Sequence, residues 1–302
     1  IIIAYLQWRY WHIGTEKFRH IVTRDITYSD ADTLCKLDVY HPEKKNNQRA
    51  SPIVVFIYGG SWSSGAKYLY TPFANTLREL GYVVVVPDYR KYPKGHSAGA
   101  HLASQVVLGD AIEKANFLKA KNGPSEKRDP STKSASYTLT DLSAPLQKDF
   151  LPQVEGLILM AGVYAVDQHL LYETSRGVEK ISAMARVMGS TVEGYCSNSP
   201  LDLVKRNGEL FAFNDDILDF APRILFVHGE RDTVVPKEQS IDMYNMLGDV
   251  LPPERRDEVD VRMRLYKRLG HAQCILDLMP SILPASRLRK SLIRDFQEFM
   301  DY

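Results

Sequence analysis

An excess of charge of either sign is missing from this sequence. Its 38 lysines and arginines are matched by 37 aspartates and glutamates, for a formal net charge of +1. That removes the electrostatic reason to expect nucleic acid or another polyanion as a partner. Cysteine is scarce: Cys35, Cys196 and Cys274 are odd in number, far apart and never in C-x-x-C spacing. They fit neither a disulfide framework nor a zinc site, and reduced thiols inside a cell are the simpler reading. A long apolar run is absent from the opening segment, Ile1–Trp11, which Gln7 and Arg9 interrupt. It falls well short of the ~20 residues that span a bilayer. Its tryptophans and tyrosines beside an arginine suit a membrane interface. Two expectations stand for residues 1–19: the end of a membrane region, or a helix lying on the domain. No internal repeat is visible.

What is present is ordinary globular composition, 44% hydrophobic and 25% charged, with room for one large domain or two small ones. Val22–Tyr28 and Cys35–Tyr40 alternate apolar and polar residues around Asp30-Ala31-Asp32, which predicts an antiparallel hairpin. Ile53–Ile57, Tyr82–Val86, Gly156–Met160 and Ile224–His228 run apolar without alternation, as strands covered on both faces do. Val261–Tyr266 is expected as a further strand. Helical spacing covers Thr71–Leu80, ended by Gly81, then Ala98–Leu108, and finally Ala285–Met300 with Pro284 in its first turn. The stretch 119–136 is rich in Lys, Asp, Glu, Ser and Pro and predicts a polar surface loop. Buried strands alternating with helices define an α/β class with a mostly parallel sheet, over a domain spanning 20–302.

Gly95-His96-Ser97-Ala98-Gly99 matches G-x-S-x-G, the strand-to-helix turn that exposes a nucleophilic serine. A chance match in a chain of this length is expected about one time in ten, so the pentapeptide needs partners. A serine hydroxyl attacks only when an imidazole takes its proton and a carboxylate orients that imidazole. Asp232 follows the fourth buried strand and His271 the fifth, in the order Ser, Asp, His and at strand ends where α/β sites are built. Alone, each would read as a surface loop residue; together they nominate Ser97, Asp232 and His271 as a triad. Tyr58-Gly59-Gly60-Ser61-Trp62 follows the first buried strand, where an oxyanion loop is expected. The donors would be the N–H groups of Gly60, Ser61 and Ala98.

These segments resemble the hormone-sensitive-lipase-like branch of the α/β-hydrolases, whose loop usually reads His-Gly-Gly-x-Trp; Tyr58 stands where that histidine sits. The departure leaves the N–H donors in place but alters how the loop is braced. Gly162–His169, Arg176–Glu179, Ser182–Met184 and Ser199-Pro200 resemble the isoprenylcysteine methylesterase group, of which kynurenine formamidases are relatives. The resemblance covers roughly Ile21 to Tyr302. It implies an α/β-hydrolase fold, a carboxylic ester substrate such as a lipidated-cysteine methyl ester, and no metal or organic cofactor. Arylformamidase chemistry is an alternative on the same triad. Trp62, Tyr164 and His169 would line the pocket, unless they serve plain packing. The implied location is intracellular, at an endoplasmic reticulum or Golgi membrane if the N-terminal segment anchors there.

One expectation runs against competence. Only six residues lie between Asp88 and Gly95, too few for the helix of ~10 and strand of ~5 that precede the elbow in the family. Pro93, with lysines at 91 and 94, is unsuited to a central strand. The join Lys94-Gly95 reads as an internal deletion that removes one helix and the central strand. A catalytically impaired homologue, acting by binding if at all, is therefore a competing expectation.

Overall fold

The computed structural model describes residues 5–6, 10, 14–30, 32–43, 50–61, 64–89, 98–122, 150–280 and 286–301. A helix, α1 (Gly14–Ile21), leads into β1 (Val22–Thr27), which pairs antiparallel with β2 (Lys36–Tyr40) as the expected hairpin. β3 (Ile53–Val55) and β4 (Val83–Pro87) run parallel, linked by α2 (Thr71–Glu79). Gly81, at φ +106°, turns the chain out of α2, a conformation that costs glycine little. These strands form a four-stranded sheet in the order β1-β2-β4-β3. β5 (Gly156–Met160), β6 (Arg223–Gly229) and β7 (Val261–Tyr266) form a second, wholly parallel sheet of three.

The sheet is thus in two pieces, and among the described residues neither β3 nor β5 pairs with a strand on its facing edge. The interruption falls between β3 and β5, where the sequence led to the expectation of a missing central strand; residues 90–97 lie outside the described residues. β3 also departs from the expectation of cover on both faces: Ile53 is 69% exposed and Val55 57%.

Three features hold the pieces together. One apolar core takes Phe73, Val84 and Val86 from the first sheet side and Leu225, Val227, Phe296 and Phe299 from the second. Each such side chain contributes about 1.5–3 kcal/mol on burial. Hydrogen bonds from Thr76 Oγ1 to the Leu278 carbonyl (2.7 Å) and from the Tyr82 hydroxyl to Asp301 (2.8 Å) cross between them. The third feature is α3 (Ala98–Asn122), whose first turn is wedged between the ends of β3 and β5. A Cβ on Gly99 would lie 2.2 Å from the Ile57 carbonyl oxygen, and one on Gly162 would lie 2.8 Å from the Ala100 Cβ.

α3 runs well past the expected Leu108. Leu108, Ala111, Ile112, Ala115 and Leu118 repeat at helical spacing and are buried against β5, so packing carries the helix through residues 119–122. The rest of the polar stretch expected as a loop, 123–136, lies outside the described residues, as does most of the segment 1–19. After β5 come α4 (Val166–Ser175) and five helices of four to seven residues; α5 (Glu238–Val250) follows β6, and α6 (Gln273–Leu276) follows β7. The terminal helix, α7, spans Arg287–Met300. Its N-cap is Ser286, whose hydroxyl accepts from the Arg289 N–H at 3.0 Å; Pro284 and Ala285, expected at its start, lie outside the described residues. Among the described residues no helix is long and apolar enough to cross a membrane.

Candidate active site

Two loops at the carboxyl ends of β6 and β7 are sewn together by backbone. The Arg231 N–H donates to the Leu269 carbonyl (3.1 Å) and the Glu230 N–H to that of Tyr266 (3.0 Å). Gly229 permits this contact, because a Cβ there would stand 2.0 Å from the Leu269 oxygen. Asp232 and His271, one on each loop, are thereby brought together: His271 Nδ1 donates to Asp232 Oδ2 at 2.7 Å. With Nδ1 carrying the hydrogen, Nε2 is the basic nitrogen of the ring.

The carboxylate is fixed on its other oxygen as well. Asp232 Oδ1 accepts from the N–H groups of Val234 (2.8 Å) and Val235 (2.9 Å). Burial alone would raise its pKa, but the contacts of His228, His271 and the Val235 N–H outweigh that penalty. The carboxyl is held well below the usual carboxylate range. From outside, α4 clamps the same loop: the Tyr172 hydroxyl (2.9 Å) and the Arg176 guanidinium both donate to the Thr233 carbonyl.

The loop after β3 is braced by three tyrosines. Tyr58 is fully buried, stacks on Tyr70 at 5.1 Å and meets Tyr89 at 5.1 Å. The Tyr89 hydroxyl donates to the Tyr58 carbonyl (2.8 Å), and the Tyr70 hydroxyl to that of Gly59 (2.9 Å). Ser64 donates its N–H to the Gly60 carbonyl at 2.8 Å. Three consecutive carbonyls are therefore tied, which fixes the peptide planes whose N–H ends belong to Gly59, Gly60 and Ser61. Asp88 completes the brace, accepting from the Tyr58 hydroxyl and from the Lys67 N–H (3.0 Å). Burial raises the phenol pKa of all three tyrosines, so they remain donors. Gly60 (φ +150°) has no room for a Cβ, which would sit 2.2 Å from the Ser64 carbonyl oxygen. Ser61 adopts φ +53°, left-handed backbone that costs a non-glycine residue about 1–2 kcal/mol.

Ala98, fully buried, opens α3 and packs with Val163, Val166, Met184, Met188 and Val235. That cluster joins the start of α3 to the Asp232 loop. Ser97 and Trp62 lie outside the described residues. Tyr164 and His169, expected against a substrate, are interior side chains instead. Tyr164 has no exposed surface and meets Phe226 edge-on at 5.5 Å. His169 is 3% exposed, with Nε2 3.5 Å from Glu173. Each packs inward because the segment after β5 is drawn onto α5, where Gln239 Oε1 accepts from the N–H groups of Tyr164 and Ala165, both at 2.8 Å.

Sequence reasoning missed Tyr70, Tyr89 and Asp88, which no spacing marks, and His228, hidden inside an apolar strand. Cys274, three residues past His271, is no rival nucleophile: burial, and then the charge of Asp232, push its thiol up to about 12. Among the described residues no group of three or more His, Cys, Asp or Glu is placed to hold a metal ion.

This architecture, with carboxylate and imidazole on neighbouring strand-end loops, is the α/β-hydrolase fold. Across the whole chain, the structure is similar to esterase B of Lactobacillus rhamnosis, with a TM-score of 0.58, 17% identity, and 100% and 94% of the two chains covered. The BD-FAE family model matches residues 37–95. A probable isoprenylcysteine alpha-carbonyl methylesterase of Oryza sativa subsp. japonica is 35% identical over 78 residues, 26% of this chain and 18% of that protein. Esterase LipC of Mycobacterium tuberculosis is 25% identical over 234 residues, 74% of this chain and 54% of that one. The chain thus spans less than a fifth of the first relative and about half of the second. The relatives and the solved structure named here are esterases.

Proposed function

We propose that the chain is a serine hydrolase of carboxylic esters. In this reading the Ser97 hydroxyl attacks the ester carbonyl and passes its proton to His271 Nε2. The imidazolium then returns that proton to the departing alkoxide, leaving an acyl-serine. Water, deprotonated by the same imidazole, attacks the acyl carbon and releases the acid and the serine. Asp232 orients His271, and the N–H groups of Gly60, Ser61 and Ala98 receive the developing oxyanion. The observation that carries the reading is the 2.7 Å contact of His271 Nδ1 with a carboxylate itself fixed by two backbone N–H groups.

The finer substrate is the methyl ester of a prenylated cysteine, supported by the methylesterase-like segments after β5 and by the relative that carries that name. Action inside the cell, at an endoplasmic reticulum or Golgi membrane, belongs to the same reading and rests on the aromatic N-terminal segment. The test is labelling with a fluorophosphonate, followed by turnover of a prenylcysteine methyl ester, a short-chain p-nitrophenyl ester and an N-formyl aromatic amide. Label on Ser97 alone, lost in Ser97→Ala, supports the esterase. Label on another serine overturns it. Preference for the formyl amide replaces the methylesterase by an arylformamidase.

One observation favours a second reading, a catalytically impaired homologue that acts by binding. The sheet is interrupted between β3 and β5, beside the turn that must hold the nucleophile. A cooperatively folded chain that takes no phosphonate would decide for it.

A further inference from the structure

We propose that His228 is a positioning residue of the Asp232–His271 pair. From the buried side it shares the Asp232 carboxylate with His271 and sets how strongly that carboxylate acts on the imidazole. The inference rests on the reading of Asp232 and His271 as the catalytic acid and base.

His228 is the sixth residue of β6 and has no exposed surface. An apolar side chain would fill this place without desolvating two ring nitrogens. Both nitrogens are engaged. Nε2 lies 3.0 Å from the Val235 carbonyl, which only accepts, so Nε2 carries the hydrogen. Nδ1 lies 2.7 Å from the hydroxyl of Ser240, buried on α5, which donates to it in that tautomer. The same Nε2 stands 3.3 Å from Asp232 Oδ2, the oxygen that takes His271 Nδ1 at 2.7 Å. A turn closed by the Asp232 N–H on the Gly229 carbonyl (3.1 Å) folds the carboxylate back over the ring. The result is a line of contacts from Ser240 through His228 and Asp232 to His271.

The consequence is electrostatic. Oδ1 is fixed by the Val234 and Val235 N–H groups, so removing His228 leaves the carboxylate in place. It takes away the Nε2–H that the Val235 carbonyl and Oδ2 share, and the charge felt by His271 grows. Among the described residues, the other titratable groups around the pair do not replace that donor. Cys274 on α6 faces Asp232 as a thiol, Asp277 acts on Cys274 from the far end of that helix, and Glu230 and Arg231 lie exposed on the loop. On the buried side Tyr164 lies beside Ser240.

The experiment follows the His271 imidazole by NMR in the full chain labelled at its eight histidines, assigned by His271→Gln. No substrate is needed, so the result is independent of whether the chain turns over esters. In His228→Leu the His271 midpoint should rise, because a carboxylate relieved of a donor holds the imidazolium proton more strongly. His228→Gln, which places an amide N–H near the Nε2 position, should restore most of the original value. Ser240→Ala, which releases the tautomer without opening the core widely, should give a smaller rise in the same direction and serves if His228→Leu does not fold. Where esters are hydrolysed, the acidic limb of kcat/KM should move with the midpoint. A folded His228→Leu, or Ser240→Ala in its place, whose midpoint stays or falls overturns the proposal. Absence of phosphonate labelling with a shifted midpoint would sink the esterase reading and leave the coupling standing.

Discussion

The first turn of α3 bears directly on the end of β3: a Cβ on Gly99 would stand 2.2 Å from the Ile57 carbonyl oxygen and 2.8 Å from that of Tyr58. The helix that begins one residue after Ser97 is thus seated on the loop that carries Gly60 and Ser61. Gly99→Ala has no space, because the obstructing atoms are backbone. The substitution should cost about 1–3 kcal/mol of stability, the range for overpacking a filled interior. Urea unfolding of the two proteins measures it, and equal midpoints would show that α3 can shift away freely.

Asp232 gives the protein a pH dependence of known sign. Its pKa is depressed in the folded state, so its contribution to stability is present above the unfolded value of about 3.9 and is lost as pH falls through the folded one. Asp232→Asn should flatten the loss of stability below about pH 4 relative to the parent chain. It should also reduce ester turnover by up to about 10⁴-fold, the loss when the imidazole is left in the wrong tautomer. Chemical denaturation at several pH values tests the first effect, and parallel slopes would contradict it.

Tyr70→Phe and Tyr89→Phe each remove one hydroxyl that ties a carbonyl of the loop after β3, the proposed oxyanion loop, while keeping the ring that meets Tyr58. Each should lower the rate of phosphonate labelling by about 10-fold or more, since a misplaced donor of this kind weakens transition-state binding. KM for a short-chain ester should change little. A raised KM with unchanged kcat would mean that the loop binds substrate rather than the transition state.

Insertion of a helix and an apolar strand between Lys94 and Gly95 should close the sheet. The exposed face of β3, with Ile53 and Val55, and the facing edges of β3 and β5 would gain cover and pairing. The repaired chain should unfold more sharply, bind less of an apolar dye, and hydrolyse short-chain esters faster by far more than any single substitution achieves. The parent and repaired proteins compared side by side decide it. Equal melting and equal turnover would mean that the chain holds the elbow by another route.

Local pattern was enough to place most elements. The Val261–Tyr266 strand has the expected bounds, and the hairpin and β5 match closely, because alternation or a short apolar run between turns is written in adjacent residues. The same is true of the suspicion about the sheet: six residues between Asp88 and Gly95 cannot hold a helix and a strand, whatever surrounds them. The order of Ser97, Asp232 and His271 along the chain was likewise legible, since strand-end loops follow directly from strand positions.

Distance along the chain hid the rest. Tyr70 and Tyr89 reach the Gly59 and Tyr58 carbonyls across 11 and 31 residues of chain, each with its ring against Tyr58. Tyr164 and His169 looked available to a ligand, and the docking of their segment onto Gln239 turned both inward. His228 read as one more residue of a buried strand, and its meeting with Asp232 needs the turn at Gly229 and the arrival of Ser240 on α5. The sequence by itself determined which segments are strands, which residues could do chemistry and where the sheet is interrupted, since these depend on neighbours and on length. Tertiary structure alone decided which polar atoms meet, because a hydrogen bond depends on angstroms between elements that the chain separates by tens of residues.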